Sequence, residues 1–195
     1  MAVSTLTNCA SGYKMIEPKT IDYNNSDKTG NVELEYKYNL LDKRYAKKEE
    51  KENVKLVAVR ITNNSEKNLM FGENIKLTYE NGSELYVFEN QKAFEILQQD
   101  LSSFLYYLAF TPANVYKTET DTNGSEESGI IPIGLILGPT LTGVNMIVAN
   151  AANKKFKEEI LKYNINKTII KSGERKSGLI AIRAISFDPL KLKIE

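Results

Sequence analysis

From Gly129 to Asn153 the chain carries no Asp, Glu, Lys or Arg, although charged residues make up 26% of the sequence. A stretch this long and apolar matches a hydrocarbon core of about 30 Å in length. It must be hidden inside the fold or meet something other than water. Its punctuation argues against one straight span: Pro132 and Pro139 each remove a backbone donor, and Gly134, Gly138 and Gly143 weaken a helix. Gly134-x-x-x-Gly138 nonetheless has the spacing of a close-packing motif of membrane helices. Pro139 suits the first turn of a helix, and Leu141, Val144, Val148, Ala152, Phe156, Ile160 and Tyr163 follow at helical spacing. A helix is expected over about Pro139–Tyr163. A second is expected over about Gln91–Phe110, where Phe94, Leu97, Leu101, Phe104, Leu105 and Leu108 share one face. The charge-free stretch is expected to be buried against that helix.

The flanking sequence reads as strands. Val32, Leu34, Tyr36, Tyr38 and Leu40 alternate with Glu33, Glu35, Lys37 and Asn39, the pattern of a half-buried strand. Val54–Thr62 is almost wholly apolar and β-branched, as in a central strand buried on both faces. Ile75–Tyr79 and Leu85–Phe88 flank Asn81-Gly82, a strong tight-turn pair. Ile169-Ile170, Gly178–Arg183 and Leu190–Ile194 complete the set. The charged run Lys47–Glu52 reads as a solvated connection, and Thr118–Gly129 as a polar, acidic loop. These elements predict a mainly β fold with an α insertion: an antiparallel immunoglobulin-like β-sandwich interrupted by a helical pair. Residues 1–30 read as an N-terminal arm or tether, and 31–195 as a single sandwich domain with the insertion at about 91–163.

Composition removes several chemistries. The chain has no His, so a Ser-His-Asp triad, a Cys-His dyad and a His-ligated metal site are excluded. One Cys excludes an internal disulfide. A net charge of +1 gives no broad electrostatic footprint for nucleic acid. Glu119-Thr120-Asp121-Thr122-Asn123-Gly124 starts like a calcium loop, but the position that needs a bidentate Glu holds Ile130. The carboxylate pairs Glu49-Glu50, Glu126-Glu127 and Glu158-Glu159 sit in charge-mixed stretches, with nothing to raise one pKa above the other. The sequence therefore points to no catalytic residue, no metal and no cofactor: the expectation is a non-enzymatic protein.

Four segments carry a resemblance. Val57-Ala58-Val59-Arg60-Ile61-Thr62-Asn63-Asn64-Ser65, and Ile169–Glu174 followed by Ser177–Ile180, resemble strands of immunoglobulin-like modules in bacterial envelope proteins. The stretch from Gly134-Leu135-Ile136-Leu137-Gly138-Pro139 through Ala152-Asn153-Lys154-Lys155-Phe156 and the Cys9-Ala10-Ser11 start resemble uncharacterised lipoproteins of Gram-negative envelopes. Leu6-Thr7-Asn8-Cys9 places a leucine at the lipobox offset, with Asn8 departing from the usual small residue, and only Met1–Thr5 stand before it in place of a full signal peptide. The resemblance implies lipidation at Cys9, a location in the bacterial cell envelope anchored at the outer membrane or periplasmic face, and work as a surface binding, adhesion or assembly module. The partners it implies are the membrane, through the lipid anchor, and a protein or glycan. The alternative from the residues themselves is a membrane-active or membrane-assembling protein that uses the apolar segment 129–148.

Overall fold

The computed structural model describes residues 9–120 and 126–195, with side chains left out for 119, 120 and 126–128. The chain divides into two compact units: Tyr13–Gln98 with Asn153–Glu195, and Met1–Gly12 with Gln99–Ala152.

The larger unit is built on a five-stranded antiparallel sheet. In chain order its elements are β1 (Asn25–Thr29), β2 (Val32–Lys37), α1 (Lys43–Glu52), β3 (Val54–Asn63), β4 (Leu69–Met70), β5 (Ile75–Tyr79), β6 (Val87–Phe88) and α2 (Asn90–Leu97). The smaller unit contains a 3-10 helix (Leu101–Phe110), β7 (Val115–Thr120), β8 (Glu126–Ile131) and the start of α3 (Gly134–Lys162). The end of α3, β9 (Ile169–Ile170), β10 (Arg175–Arg183) and β11 (Leu190–Ile194) return to the larger unit. The main sheet runs β1-β2-β3-β10-β6, and β11-β5 and β4-β9 form two-stranded sheets.

β3 is the axis of the larger unit because its sequence has no polar face to give to water. Val57, Val59 and Ile61 join a cluster with Leu34, Tyr36, Ile180 and Ile182 of the main sheet, and with Ile75, Leu77, Leu190 and Leu192 of the β11-β5 pair. The alternate residues Leu56 and Ala58 are equally buried, and α1 and α2 both pack on β3. Helices thus line the sheet, and the second half of α3 joins them: Phe156 stacks with Tyr13, Tyr45 and Phe94 at 5.2, 5.1 and 6.0 Å between ring centroids.

This architecture overturns the immunoglobulin-like sandwich. Among the described residues helix and strand are equal, at 32% each, and the large sheet has five strands, accompanied by small sheets and helices. The physical reason lies in what covers β3: one face meets only the short β11-β5 and β4-β9 pairs in place of a second extended sheet, and the other carries helices where a sandwich would face water. Three local readings also change. Lys47–Glu52 belongs to α1, with Tyr45 and Glu49 turned inward. The expected Gln91–Phe110 helix breaks at Gln98, where the backbone is extended, and restarts as a 3-10 helix capped by Asp100. Asn25–Thr29, in the stretch read as an arm, pairs with β2 through a two-residue turn in which Gly30 has φ +58°.

β10 requires a glycine at one point. Leu179 donates its amide to the Tyr163 carbonyl at 2.8 Å. This draws the chain after α3 so close that a Cβ at Gly178 would lie 2.7 Å from both Tyr163 O and Ile165 Cβ.

Candidate functional site

α3 changes character along its length. Its buried positions are Gly134, Gly138, Thr142, Asn145, Ala149 and Ala152, and then Asn153, Phe156, Glu159 and Ile160. One inward stripe therefore runs through the helix at three- and four-residue steps. In the second half it holds large side chains, and Lys154, Lys155, Glu158 and Lys162 face out. In the first half the order is reversed: small and polar residues are inside, and Leu135, Ile136, Leu137, Leu141, Val144, Ile147 and Val148 are exposed. Ile136 and Ile147 are 70% and 72% exposed. By length and composition α3 is apolar enough to cross a membrane, yet only 28% of its most apolar stretch is buried within the protein. The expected burial of the charge-free stretch is thus met only along its small-residue stripe.

That stripe packs because it is small. A Cβ on Gly134 would sit 2.0 Å from the Phe110 carbonyl oxygen, and one on Gly138 would sit 2.7 Å from Thr111 Oγ1. The Gly134 amide donates to Ala113 O at 2.8 Å. The Thr142 hydroxyl donates to Gly138 O at 2.9 Å and reaches Phe104 O at 3.3 Å. Phe104 and Tyr107 fill the remaining space against Ala149, with Leu101, Met146 and Ala10 beside them. The face of the 3-10 helix turned away from this contact is again apolar, with Leu105, Tyr106, Leu108 and Phe110 exposed.

The ribbon β7-β8 continues the pattern. Val115 pairs with Ile131 and Tyr116 with Ile130, and all four side chains are exposed. A two-stranded ribbon has little stability of its own in water. The calcium-like run Glu119–Gly124 falls largely outside the described residues, and among the described residues no cluster of potential metal ligands occurs.

Cys9 lies in the same unit and is exposed, with the Tyr107 hydroxyl 3.7 Å from its Sγ. The chain beside it is held firmly. The Ala10 amide donates to Asn145 Oδ1 at 2.5 Å, and Ser11 and Gln99 exchange two hydrogen bonds at 3.0 and 2.7 Å. The leucine of the lipobox-like run, Leu6, is outside the described residues.

The pairs Glu49-Glu50 and Glu158-Glu159 each separate into a buried and an exposed member, a distinction that charge patterning concealed, while the side chains of Glu126-Glu127 lie outside the described residues. Glu49 is buried on α1 and accepts the Leu56 amide at 2.6 Å. Burial pushes its carboxyl up to about 7, against the lowering effect of that amide and of Lys55. Glu159 is buried on α3 and accepts from Tyr13 and from the Ile16 amide. Burial also holds its carboxyl above the ordinary range. Both acids serve as acceptors for backbone donors of the larger unit. A cleft of about 340 Å³ in that unit is lined by Phe71, Ile75, Leu77, Leu85, Val87 and Lys167, among others, and by neither buried acid.

No family model matches this chain, and neither a curated protein nor a solved structure matches it.

Proposed function

We propose that this is a membrane-associating protein whose smaller unit beds its apolar exterior in a lipid surface, while the charged larger unit stays in water. The observation that carries the reading is the reversal along α3. In water, a helix gains by placing its large apolar side chains inside, as Phe156 and Ile160 do. In lipid that advantage vanishes, and helices associate through small residues while Leu, Ile and Val face the acyl chains. The first half of α3 follows the second rule and the second half the first. Tyr106 and Tyr116, 76% and 72% exposed, are amphipathic residues of the kind enriched at bilayer interfaces.

The 3-10 helix is short, and the ribbon β7-β8 stands between it and α3 in the chain. A surface-lying unit suits this arrangement of short elements. Diacylation of Cys9 is a further part of the proposal: an acyl anchor there belongs to the same unit as the apolar surface, and two anchors hold far better than one. An envelope location follows from that modification. The adhesion or assembly role then falls to the water-facing larger unit, and catalysis is not part of the reading.

Vesicle flotation without detergent tests the proposal, using the wild-type protein and Cys9→Ala. Flotation of both supports insertion by the smaller unit itself. Flotation of the wild type alone reduces the reading to a lipid anchor, and flotation of neither overturns it.

A further inference from the structure

The open end of the β1-β2 hairpin, opposite the Gly30 turn, holds a cleft of about 230 Å³, all of it within the larger unit. Tyr36 and Tyr38 are buried at its base, and Asn24, Asn25, Asn39 and Phe187 are exposed around it. Pro189 completes the lining, which carries no charged side chain. The fold brings these residues together by register. Asn25 pairs with Tyr36 across the hairpin, Asn39 turns the chain after β2 with φ +56°, and Phe187 and Pro189 lie on the connection from β10 to β11. The phenols are tied down: Tyr38 donates to Asp188 O at 2.9 Å, and Tyr36 accepts from the Leu190 amide at 3.0 Å. The Phe187 ring is held by Tyr38, which crosses it at 70° and 5.4 Å between centroids, and by the Lys55 ammonium 4.7 Å from its centroid. Lys55 is itself buried, whereas 49% of Phe187 stays exposed. The Asp188 carboxylate is engaged by the Ser186 hydroxyl at 2.5 Å. The three amides are not used up by the fold. Asn25 Nδ2 donates to Asn24 Oδ1 at 3.0 Å, which leaves Asn24 its donor, Asn25 its acceptor and Asn39 both. These side chains have no further hydrogen-bond partner among the described residues.

We infer that this cleft binds a neutral sugar, with Asn24, Asn25 and Asn39 reading its hydroxyls and Phe187 supporting its C–H face. This rests on the adhesion role proposed for the larger unit and names a neutral glycan as what that unit holds. It does not depend on membrane association by the smaller unit. The chemistry of the lining selects the class. A phosphate, a nucleotide or a free amino acid would lose water against a wall with no ion to replace it. A hydroxyl both gives and takes a hydrogen bond, so two neighbouring hydroxyls are met by a donor beside an acceptor, as Asn24 and Asn25 present. The C–H groups of a sugar ring carry slight positive charge, which suits the electron-rich face of an aromatic ring. The volume lies below the range of drug-sized pockets, which starts at about 300 Å³, and suits a single sugar ring.

The test follows the amide signals of the isotope-labelled full chain by NMR as methyl glycosides of glucose, galactose, mannose and N-acetylglucosamine are added. At least one is expected to shift the side-chain signals of Asn24, Asn25 and Asn39 with millimolar affinity, as suits a ligand of about a dozen heavy atoms. Glucuronate and sugar phosphates are expected to bind more weakly. Phe187→Leu keeps apolar bulk but loses the ring face, and is expected to weaken binding about tenfold. Asn39→Gly keeps the left-handed backbone and removes the amide, and is expected to weaken binding severalfold. Lys92→Gln on α2 is expected to change nothing. Amide signals away from the cleft are expected to stay in place in each variant, so that lost binding is not lost folding. No shift with any neutral glycoside overturns the inference, and so does binding that survives both cleft variants or a charged sugar that binds tighter. Beads carrying the wild type, offered films of dextran, galactan, mannan and a glycan-free protein, separate this inference from the adhesion reading. Attachment to a polysaccharide film that Phe187→Leu weakens supports it. Attachment to the protein film alone overturns the inference and leaves the adhesion reading standing. Attachment to no film, with no shift in the NMR signals, overturns both.

Discussion

Tyr13 donates its phenol to Glu159, a residue 146 positions further along the chain, and the Ile16 amide donates to the same carboxylate oxygen at 2.7 Å. One buried acid thereby fastens the segment before β1 to the second half of α3. Glu17 adds to the hold by accepting from the Tyr163 hydroxyl at 2.7 Å. The groups facing Glu159 are Tyr13 and Glu17 from that segment and Lys162 from its own helix, while Tyr45 and Asp42 act on Tyr13.

Replacing Tyr13 with Phe keeps the ring among Tyr45 and Phe156 but leaves the carboxylate short of a donor. The expected loss is about 1.5–3 kcal/mol in urea unfolding, the range for a hydrogen bond to a charged group. The Tyr13 bond favours the charged acid, so its removal raises the Glu159 pKa further. The loss is therefore largest in alkaline buffer and shrinks in acid, where Glu159 is protonated. A loss independent of pH argues that the phenol acts by packing alone.

Glu49 predicts the opposite of ordinary acid denaturation. Burial pushes its folded pKa up to about 7, above the ordinary carboxylate value of 4.5, so the folded state binds the proton more tightly than the unfolded state. Its contribution is complete below the unfolded value and is lost as pH rises through about 7. A shift of that size corresponds to about 3 kcal/mol between the two limits. Glu49→Gln keeps an acceptor for the Leu56 amide and removes the charge. Its stability is expected to exceed that of the wild type above pH 7 and to vary less between 4.5 and 7. Glu159, shifted in the same direction, leaves part of the slope in place. Chemical denaturation across this window checks the sign.

Two glycines of α3 should respond in opposite directions. Gly134→Ala drives a methyl into the Phe110 carbonyl, 2.0 Å away. The helix then has to move, at a cost of about 1–3 kcal/mol for overpacking. Gly143 has nothing within 4 Å of a built Cβ, so Gly143→Ala gains about 0.8 kcal/mol of helix propensity. Hydrogen exchange over the smaller unit is the measurement, with protection falling in the first variant and rising in the second.

The sequence made some of this legible and hid the rest for identifiable reasons. The apolar run of β3 and the alternation of β2 each commit one strand to one kind of surface, and both strands form where expected. The layer covering β3 was not legible. α1 is charged on most sides, and its two inward residues, Tyr45 and Glu49, are four positions apart with a carboxylate as one of them. Gly30-Asn31 is a two-residue hairpin signal lost within a polar stretch. Asp100 followed by Ser102 and Ser103 marks the cap that breaks the long expected helix: its carboxylate accepts the Ser102 amide at 3.0 Å. In the charge-free stretch hydrophobicity is uniform, so periodicity cannot say which side faces inward. Side-chain size can, and Gly134, Gly138, Thr142, Asn145 and Ala149 mark that side. Cys9 is placed at the surface by the structure, and its lipidation rests on the proposal.

The most direct measurement places an environment-sensitive fluorophore at Ile147, as Ile147→Cys in a Cys9→Ala background, and adds anionic vesicles. The account predicts a blue-shifted emission that is quenched by groups carried on the lipid chains, while the same label at Lys92 stays in water. An Ile147 label whose emission and quenching match those at Lys92 contradicts it.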